Sequence, residues 1–182
     1  MGTLQPVTAE RIAVAQAAGL TNVIEAAVAC RLAGLPFFAA CALLEKESGG
    51  ANVYGHDAGT PFSTTALGRP ANGRVTASNF QQFLSQVCFH GRPSNGVGPC
   101  QITYAGALKG GLRDGGFFRQ MMDRGLLPWV PADNMLFGFE QLAGYAGASL
   151  DWHAAGKLYN GAEAYGADLA AKVLAWKKRL HI

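Results

Sequence analysis

One segment decides the fold: Pro36-Phe-Phe-Ala-Ala-Cys-Ala-Leu-Leu-Glu-Lys-Glu-Ser-Gly-Gly50. Proline suits the first turn of a helix, because the N–H group that it lacks would have no partner within the helix there. Paired glycines are typical of the end of a helix. We therefore predict a helix over residues 36–48. Glu47 follows Leu43 by four residues and shares its apolar face, whereas Glu45 is rotated by about 200° from Glu47 and is expected in solvent.

The position of Glu47 is typical of an acid catalyst. A carboxyl group on an apolar helix face beside a loop is partly desolvated, and desolvation raises the pKa of a carboxyl group. The protonated form is the one that can protonate a glycosidic oxygen. A solvated glutamate at a frayed helix end is the other interpretation of the same pattern.

The length of 182 residues corresponds to about one domain. We predict a single domain, with N-terminal helices in residues 1–34, the candidate site in 36–161 and a C-terminal helix in 162–182. The net charge of +3 argues against a nucleic-acid partner. We also expect a monomer with no membrane span and no secretory signal, made in the cytoplasm.

The N-terminal region shows two helix starts. Thr8 has the position of an N-cap, and the apolar pattern that follows it stops at Gly19. Asn22 with Glu25 three residues later predicts a capping box, opening a second helix that ends near Gly34.

The rest of the chain alternates helices with polar loops. A short helix is predicted from Ser78 or Asn79 to Val87, another after an Asp133 cap, and a last one over 162–180. That last helix is expected to bury Leu169, Val173, Leu174 and Trp176. Glycine-rich loops at 49–74 and 90–98 suit the walls of a cleft. The fold class predicted is mainly α.

Three segments resemble a known family. They are Glu47-Ser-Gly-Gly50, Asn95-Gly-Val-Gly-Pro-Cys-Gln-Ile-Thr103 and Leu158-Tyr-Asn-Gly161. In this order they are similar to the Glu-Ser, Gly-Leu-Met-Gln and Tyr-Asn-Ala-Gly signatures of goose-type lysozymes and soluble lytic transglycosylases, with Pro99 and Cys100 in place of Leu-Met. The runs 47–57 and 95–103 look closer still to the muralytic domain of actinobacteriophage endolysins of the mycobacteriophage type.

The resemblance implies a lysozyme-like helical fold that cleaves the β-1,4 bond between N-acetylmuramic acid and N-acetylglucosamine in peptidoglycan. It makes Glu47 the catalytic acid and places a Tyr159 hydroxyl on the sugar or on Glu47. The other implied substrate-binding positions are Ser48, Gly98, Gln101 and Asn160. It implies no cofactor, a glycan-strand partner, and an enzyme that waits in the host cytoplasm until lysis and then acts on the wall.

Two reactions are open at such a site. Hydrolysis with inversion needs a second carboxylate as base, and Asp57 is the only acid between Glu47 and Asp114. The family's further Asp, directly after the Gln motif, is here Thr103, which we assign to substrate binding. A lytic transglycosylase needs only the glutamate and produces anhydro ends. We favour hydrolysis with Asp57 as base.

Other side chains near these motifs have two interpretations each. Tyr54 and Tyr104 are predicted to contact sugars, and His56 to bind substrate or orient Asp57. A core or loop residue is the other interpretation of each.

The cysteines offer further alternatives. We expect mostly free thiols at four positions, with a bridge between the first two left open: Cys30, Cys41, Cys88 and Cys100. The Cys-x-His-x9-Cys pattern around His90 lacks a fourth zinc ligand, so no metal is predicted. A thiol peptidase using His90 or His153 is one alternative enzyme, and a wall-binding module without activity is an alternative of another class.

Overall fold

The computed structural model describes residues 5–55, 73–89, 96–103, 108–109, 112–113 and 116–182. In these residues the chain is mainly helical, as predicted, with eight helices and one two-stranded antiparallel hairpin. The helices are α1 Ala9–Ala17, α2 Val23–Leu32, α3 Phe37–Glu47, α4 Ala77–Phe89, α5 Gly116–Asp123, α6 Pro131–Ala146, α7 Trp152–Asn160 and α8 Glu163–Arg179. The hairpin pairs β1 Leu108–Lys109 with β2 Leu112–Arg113. The sequence analysis assigned neither α5, α7 nor the hairpin.

The two N-terminal helix starts differ from each other. Thr8 caps α1 as predicted, because its side chain accepts a hydrogen bond from the Arg11 amide at 3.3 Å. The capping box predicted at Asn22 is wrong. Asn22 lies in the left-handed region and its side-chain amide donates instead to the Gly50 carbonyl at 2.8 Å. The amide thus ties the start of α2 to the end of α3, a contact that no local pattern specifies.

Helix α3 is the buried centre of the fold. Every residue from Phe37 to Leu44 is buried, and only the last three residues are polar. Pro36 lies at the N-cap, one position before the first turn. Helix α3 packs against α2 and α8. Because α3 is apolar on all sides, it is buried along its length, and only its polar C-terminal residues lie near the surface.

Glu45, expected in solvent, holds the last helix. It lies at the surface but accepts hydrogen bonds from Lys172 Nζ at 2.8 Å, Trp176 Nε1 at 2.6 Å and Arg179 Nη1 at 3.3 Å. The Trp176 side chain is fully buried, so its indole N–H needs such an acceptor. Burial works against ionisation of Glu45, but the bonds from Lys172 and Trp176 outweigh it and hold the pKa of the carboxyl below its usual value.

The final helix agrees with the prediction except at one residue. Leu169, Val173 and Trp176 are buried, whereas Leu174 is 61% exposed, so its predicted burial is wrong. Residues 169, 173 and 176 follow the helical spacing of one face, and residue 174 lies about 100° beyond 173.

Helices α7 and α8 cross at two glycines. Asp151 caps α7 through the Ala154 amide, and Gly161 ends it in the left-handed region. A Cβ on Gly166 would clash with the His153 carbonyl oxygen, and one on Gly156 would lie 2.9 Å from the Gly166 Cα. Only glycine allows these backbones to approach so closely.

The starts of α4 and α6 also differ in detail from the predictions. Helix α4 begins at Ala77, because Thr76 and Asn79 cap it reciprocally: the Asn79 amide donates to Thr76 Oγ1 and the Thr76 amide to Asn79 Oδ1. The predicted Asp133 cap is wrong, since α6 begins at Pro131. Asp133 lies in its first turn and accepts from the Leu127 amide at 3.0 Å.

Across the part of the chain that is described, none of the helices has the length and apolar character needed to cross a membrane.

The glycine crossing can be tested with a matched pair. We expect Gly166→Ala to lower the free energy of unfolding by about 1–3 kcal/mol, because its methyl group meets backbone atoms of α7. Gly144→Ala lies in α6 with open space around it and should raise the same quantity by about 0.5–1 kcal/mol. Urea unfolding of both variants measures the difference, and equal effects would contradict a tight crossing.

The Glu45 cluster predicts acid sensitivity. A carboxyl pKa that is lowered on folding stabilises the fold above its unfolded pKa, and that stabilisation is lost as pH falls through the folded pKa. Glu45→Gln keeps an acceptor for Trp176 but removes the charge. We expect a loss of about 1–2 kcal/mol in the free energy of unfolding at pH 7.

That loss should shrink as the pH falls from 7 toward about 3, because the pH then passes below the ordinary range of a glutamate and approaches the lowered pKa of the parent carboxyl. Urea unfolding at both pH values measures it. Glu25→Gln, on the exposed side of α2, is the control. A loss independent of pH would show that the charge is not what Glu45 contributes.

Candidate active site

A cleft of about 570 Å³ lies where α3 and α7 end. Its lining includes six of the residues predicted from the sequence: Glu47, Ser48, Gln101, Thr103, Tyr159 and Asn160. Glu47 is the one carboxyl-bearing residue in the described lining. Lys46, Phe117 and Gln141 also line the cleft and were not predicted. The fold therefore brings residues from three distant segments to one surface.

Glu47 is held by a tyrosine that the sequence analysis did not single out. The carboxyl is half-buried at the last residue of α3, and the Tyr165 hydroxyl donates a hydrogen bond to its Oε1. Tyr165 lies in the first turn of α8 and is 9% exposed. Tyr165, Leu169 and Val173 are spaced by four residues and therefore share one apolar face of α8. This spacing is the sequence signal that could have predicted the burial of Tyr165.

Tyr159 does not take the role predicted for it on Glu47. Its hydroxyl donates to the Cys100 carbonyl at 2.9 Å. Its ring is stacked on that of Tyr165, with 6.4 Å between the ring centroids and 17° between the planes. The crossing of α7 and α8 stacks the two rings, and the hydroxyl of the second one reaches the acid. Tyr159 therefore supports the tyrosine that contacts Glu47.

The groups around Glu47 are held neutral. Burial raises the pKa of Tyr165, and the nearby Glu47 charge raises it further. Burial also raises the pKa of Tyr159 and of the Cys100 thiol, with Glu47 contributing to both. At neutral pH the Tyr165 phenol therefore keeps its proton and acts as a hydrogen-bond donor to the carboxyl.

The loop over residues 96–103 is fixed from two sides. Ser48 Oγ donates to the Pro99 carbonyl at 2.8 Å, which ties the loop to the end of α3. The fully buried Asn134 of α6 accepts from the Cys100 amide at 2.9 Å and donates to the Val97 carbonyl at 2.9 Å. These bonds satisfy polar groups of a buried turn, so the loop forms a rigid wall.

Gly98 shapes this wall and is not among the residues that line the cleft, so its predicted contact with substrate stays a prediction. Its N–H donates to the Val53 carbonyl, and its carbonyl accepts from both the backbone and the side-chain amide of Gln101. At φ +74° its hydrogen faces Asn134, and a Cβ would lie 2.6 Å from the Asn134 Cγ. A glycine is required there for close packing.

Gln101 itself remains a cleft residue. Its side-chain amide donates to the Gly98 carbonyl at 2.7 Å and to the Val53 carbonyl at 3.2 Å. The same side chain lies over Gly55 and Gly96, where a Cβ would collide with its oxygen. Gln101 therefore joins the loop after α3 to the loop at 96–103.

Tyr54 is a core residue, so its predicted contact with sugars is wrong. Its side chain is fully buried, its ring packs against Phe83 at 5.2 Å between centroids, and its hydroxyl donates to Asn79 Oδ1 at 2.8 Å. His56, Asp57 and Tyr104 lie outside the described residues.

The cysteines offer no nucleophile among the described residues. Cys30, Cys41 and Cys100 are free and buried, so the bridge left open between the first two does not form. Burial raises the pKa of Cys30 to about 12 and also raises those of Cys41 and Cys100. A thiol that stays protonated is a poor nucleophile, which disfavours the thiol-peptidase alternative.

The remaining histidine and metal alternatives receive no support from the described part. His153 faces Glu163 at 2.9 Å, on the outer side of the α7–α8 crossing. No group of three or more potential metal ligands occurs in the described residues, and His90 lies outside them.

Comparisons with known proteins identify no relative: no family model, no curated protein and no solved structure matches the chain.

Proposed function

We propose that this protein is a glycosidase that cleaves the β-1,4 bond between N-acetylmuramic acid and N-acetylglucosamine in bacterial peptidoglycan, with Glu47 as general acid. One observation carries the proposal. A half-buried carboxyl at the end of an apolar helix faces an open cleft and receives a hydrogen bond from a buried phenol. Resemblance of the three cleft segments to muralytic enzymes supports the choice of substrate.

The chemistry follows from the environment of the carboxyl. An acid that protonates a glycosidic oxygen must hold its proton near neutral pH and must be oriented toward the substrate. The apolar helix limits the solvation of Glu47. The Tyr165 hydroxyl engages Oε1 and directs the transferable proton to Oε2. Gln101, Thr103 and Asn160 supply polar groups that can bind sugar substituents along the cleft.

The second half of the reaction separates two outcomes. Hydrolysis with inversion requires a base about 6.5–9.5 Å from the acid, and Asp57 is our candidate for it. A lytic transglycosylase requires no second carboxylate, because the substrate's own hydroxyl attacks. That alternative is favoured by the single carboxyl in the described lining. We propose the hydrolase, acting as a phage endolysin that reaches the wall when the host membrane is permeabilised.

The proposal is tested by digestion of purified peptidoglycan with mass analysis of the released sugar ends. We expect the parent protein to release reducing N-acetylmuramic acid ends. Glu47→Gln should lose about 10²–10⁴-fold in rate, because an amide cannot donate the required proton. Glu25→Gln, a glutamate on the exposed side of α2, is the matched control and should retain full activity.

Each other outcome has a defined meaning. Anhydro ends, about 18 mass units lighter through the loss of one water, would replace the hydrolase by the transglycosylase and remove Asp57 from the mechanism. Glycan cleavage that survives in Glu47→Gln would contradict the assignment of the acid. Absence of glycan cleavage by the parent protein would leave a wall-binding module.

The role of Tyr165 predicts a change in the pH profile. Tyr165→Phe removes the donor on Oε1, and a hydrogen bond to a charged group contributes about 1.5–3 kcal/mol. We expect a rate about 10–100-fold lower at the pH optimum, with the fold retained. Because the phenol favours the ionised carboxylate, its loss should move the alkaline limb of the profile to higher pH.

Rates of digestion from pH 4 to 9 measure this shift. Glu25→Gln, on the exposed side of α2 and away from the cleft, is the control. An unchanged profile for Tyr165→Phe would show that the phenol does not act on the acid.

A further inference from the structure

Lys46 is placed against the tyrosine that contacts the acid. Its ammonium nitrogen lies 4.9 Å from the centroid of the Tyr165 ring and 2.5 Å from Asp168 Oδ2. Asp168 follows Tyr165 by three residues on α8, so the ammonium spans the ring and the next turn. The Lys46 side chain is 26% exposed and that of Asp168 is 43% exposed, so the ion pair is partly open to solvent and serves mainly to place the ammonium beside the ring.

This arrangement has two physical consequences for the phenol. A cation within about 6 Å of an aromatic face attracts the ring, so the Lys46 ammonium restrains the position of the Tyr165 ring. A cation near an acidic O–H favours its ionised form, so the Lys46 charge works against Glu47 and Asp168, which raise the pKa of the phenol, and strengthens the hydroxyl as a donor. Both effects act on the hydrogen bond between Tyr165 and Glu47.

We infer that Lys46 is a positioning residue that acts on Glu47 through Tyr165, by fixing the ring and strengthening its hydroxyl as a donor. The inference rests on the proposed glycosidase function and assigns a role to a cleft residue that no sequence motif singled out. It differs from the simplest alternative, in which Lys46 contacts the substrate directly from the cleft wall.

The charged and titratable groups facing Tyr165 come from four parts of the chain. They are Lys46 and Glu47 of α3, Cys100 of the 96–103 loop, Tyr159 of α7 and Asp168 of α8. Burial keeps the Cys100 thiol and the Tyr159 phenol protonated. Lys46 is therefore the one cation among these groups, and its removal changes the field at the phenol.

The test is a double-mutant cycle on glycan fragments of peptidoglycan. We expect Lys46→Met to lower kcat by about 3–30-fold with KM unchanged, in the range of a partly desolvated cation–π contact. In the Tyr165→Phe background the same change should cost less than about 2-fold, because residues that act through one another are not additive. Lys46→Arg should restore most of the rate, since a guanidinium also keeps a cation over the ring. Lys178→Met, at the far end of α8, is the control.

A second readout does not depend on activity. The Cζ carbon of Tyr165, observed by NMR in protein labelled with ¹³C-tyrosine and assigned by its absence in Tyr165→Phe, reports hydrogen bonding of the phenol. We expect its shift to move in Lys46→Met and to stay unchanged in Lys178→Met. Asp168→Asn should also move the shift, because this carboxylate holds the ammonium and its own charge acts on the phenol, and the variant replaces Lys46→Met if that protein does not fold.

The outcomes separate the two proposals. A raised KM, or an undiminished loss in the Tyr165→Phe background, would overturn the inference and make Lys46 a substrate contact. If the parent protein cleaves no glycan, the proposed function fails while the NMR shift still decides whether Lys46 acts on Tyr165. An unmoved Cζ shift in both Lys46→Met and Asp168→Asn would overturn the inference whatever the activity.

Discussion

The junction between the end of α3 and helix α8 is the interaction on which the rest of the structure depends. Three consecutive residues bind α8 with their side chains: Glu45 binds Lys172 and Trp176, Lys46 binds Asp168, and Glu47 binds Tyr165. A buried helix must bring its last polar groups to partners, since unpaired polar groups in an apolar setting are costly. The same residues that secure α8 therefore also set the chemistry of the cleft.

The cleft follows from this junction. Helix α8 brings Tyr165 to Glu47 only because α7 and α8 cross closely at Gly156 and Gly166. On the opposite side, Ser48 and Asn134 fix the 96–103 loop, which places Gln101 along the wall. The Glu47 carboxyl is thus oriented by Tyr165, which lies 118 residues further along the chain. The phenols of Tyr165 and of Tyr159 beside it both stay neutral. In the proposed glycosidase, such preorganisation would favour proton donation in a site that is partly shielded from water.

Sequence patterns predicted the helices better than the contacts between them. The mainly α class, the limits of α3 and the position of Glu47 follow from periodicity and capping signals, whereas Ser48 and Gln101 were placed at the cleft by the resemblance of their motifs. The tyrosine on the acid could not be taken from its motif, because the crossing of α7 and α8 decides which of two nearby rings reaches Glu47. Asn22 and Glu45 form long-range bonds where local rules predict a cap and a solvated charge. Asp57, the candidate base, lies outside the described residues.

The most direct test of the central claim, that the cleft at Glu47 receives a glycan strand, is a crystal structure of the Glu47→Gln variant with an oligosaccharide of alternating N-acetylglucosamine and N-acetylmuramic acid. We expect the scissile oxygen to lie about 3 Å from the side chain of residue 47, with Tyr165 still bound to that side chain. An oligosaccharide bound elsewhere, or one in this cleft with its glycosidic oxygens beyond reach of residue 47, would contradict the claim.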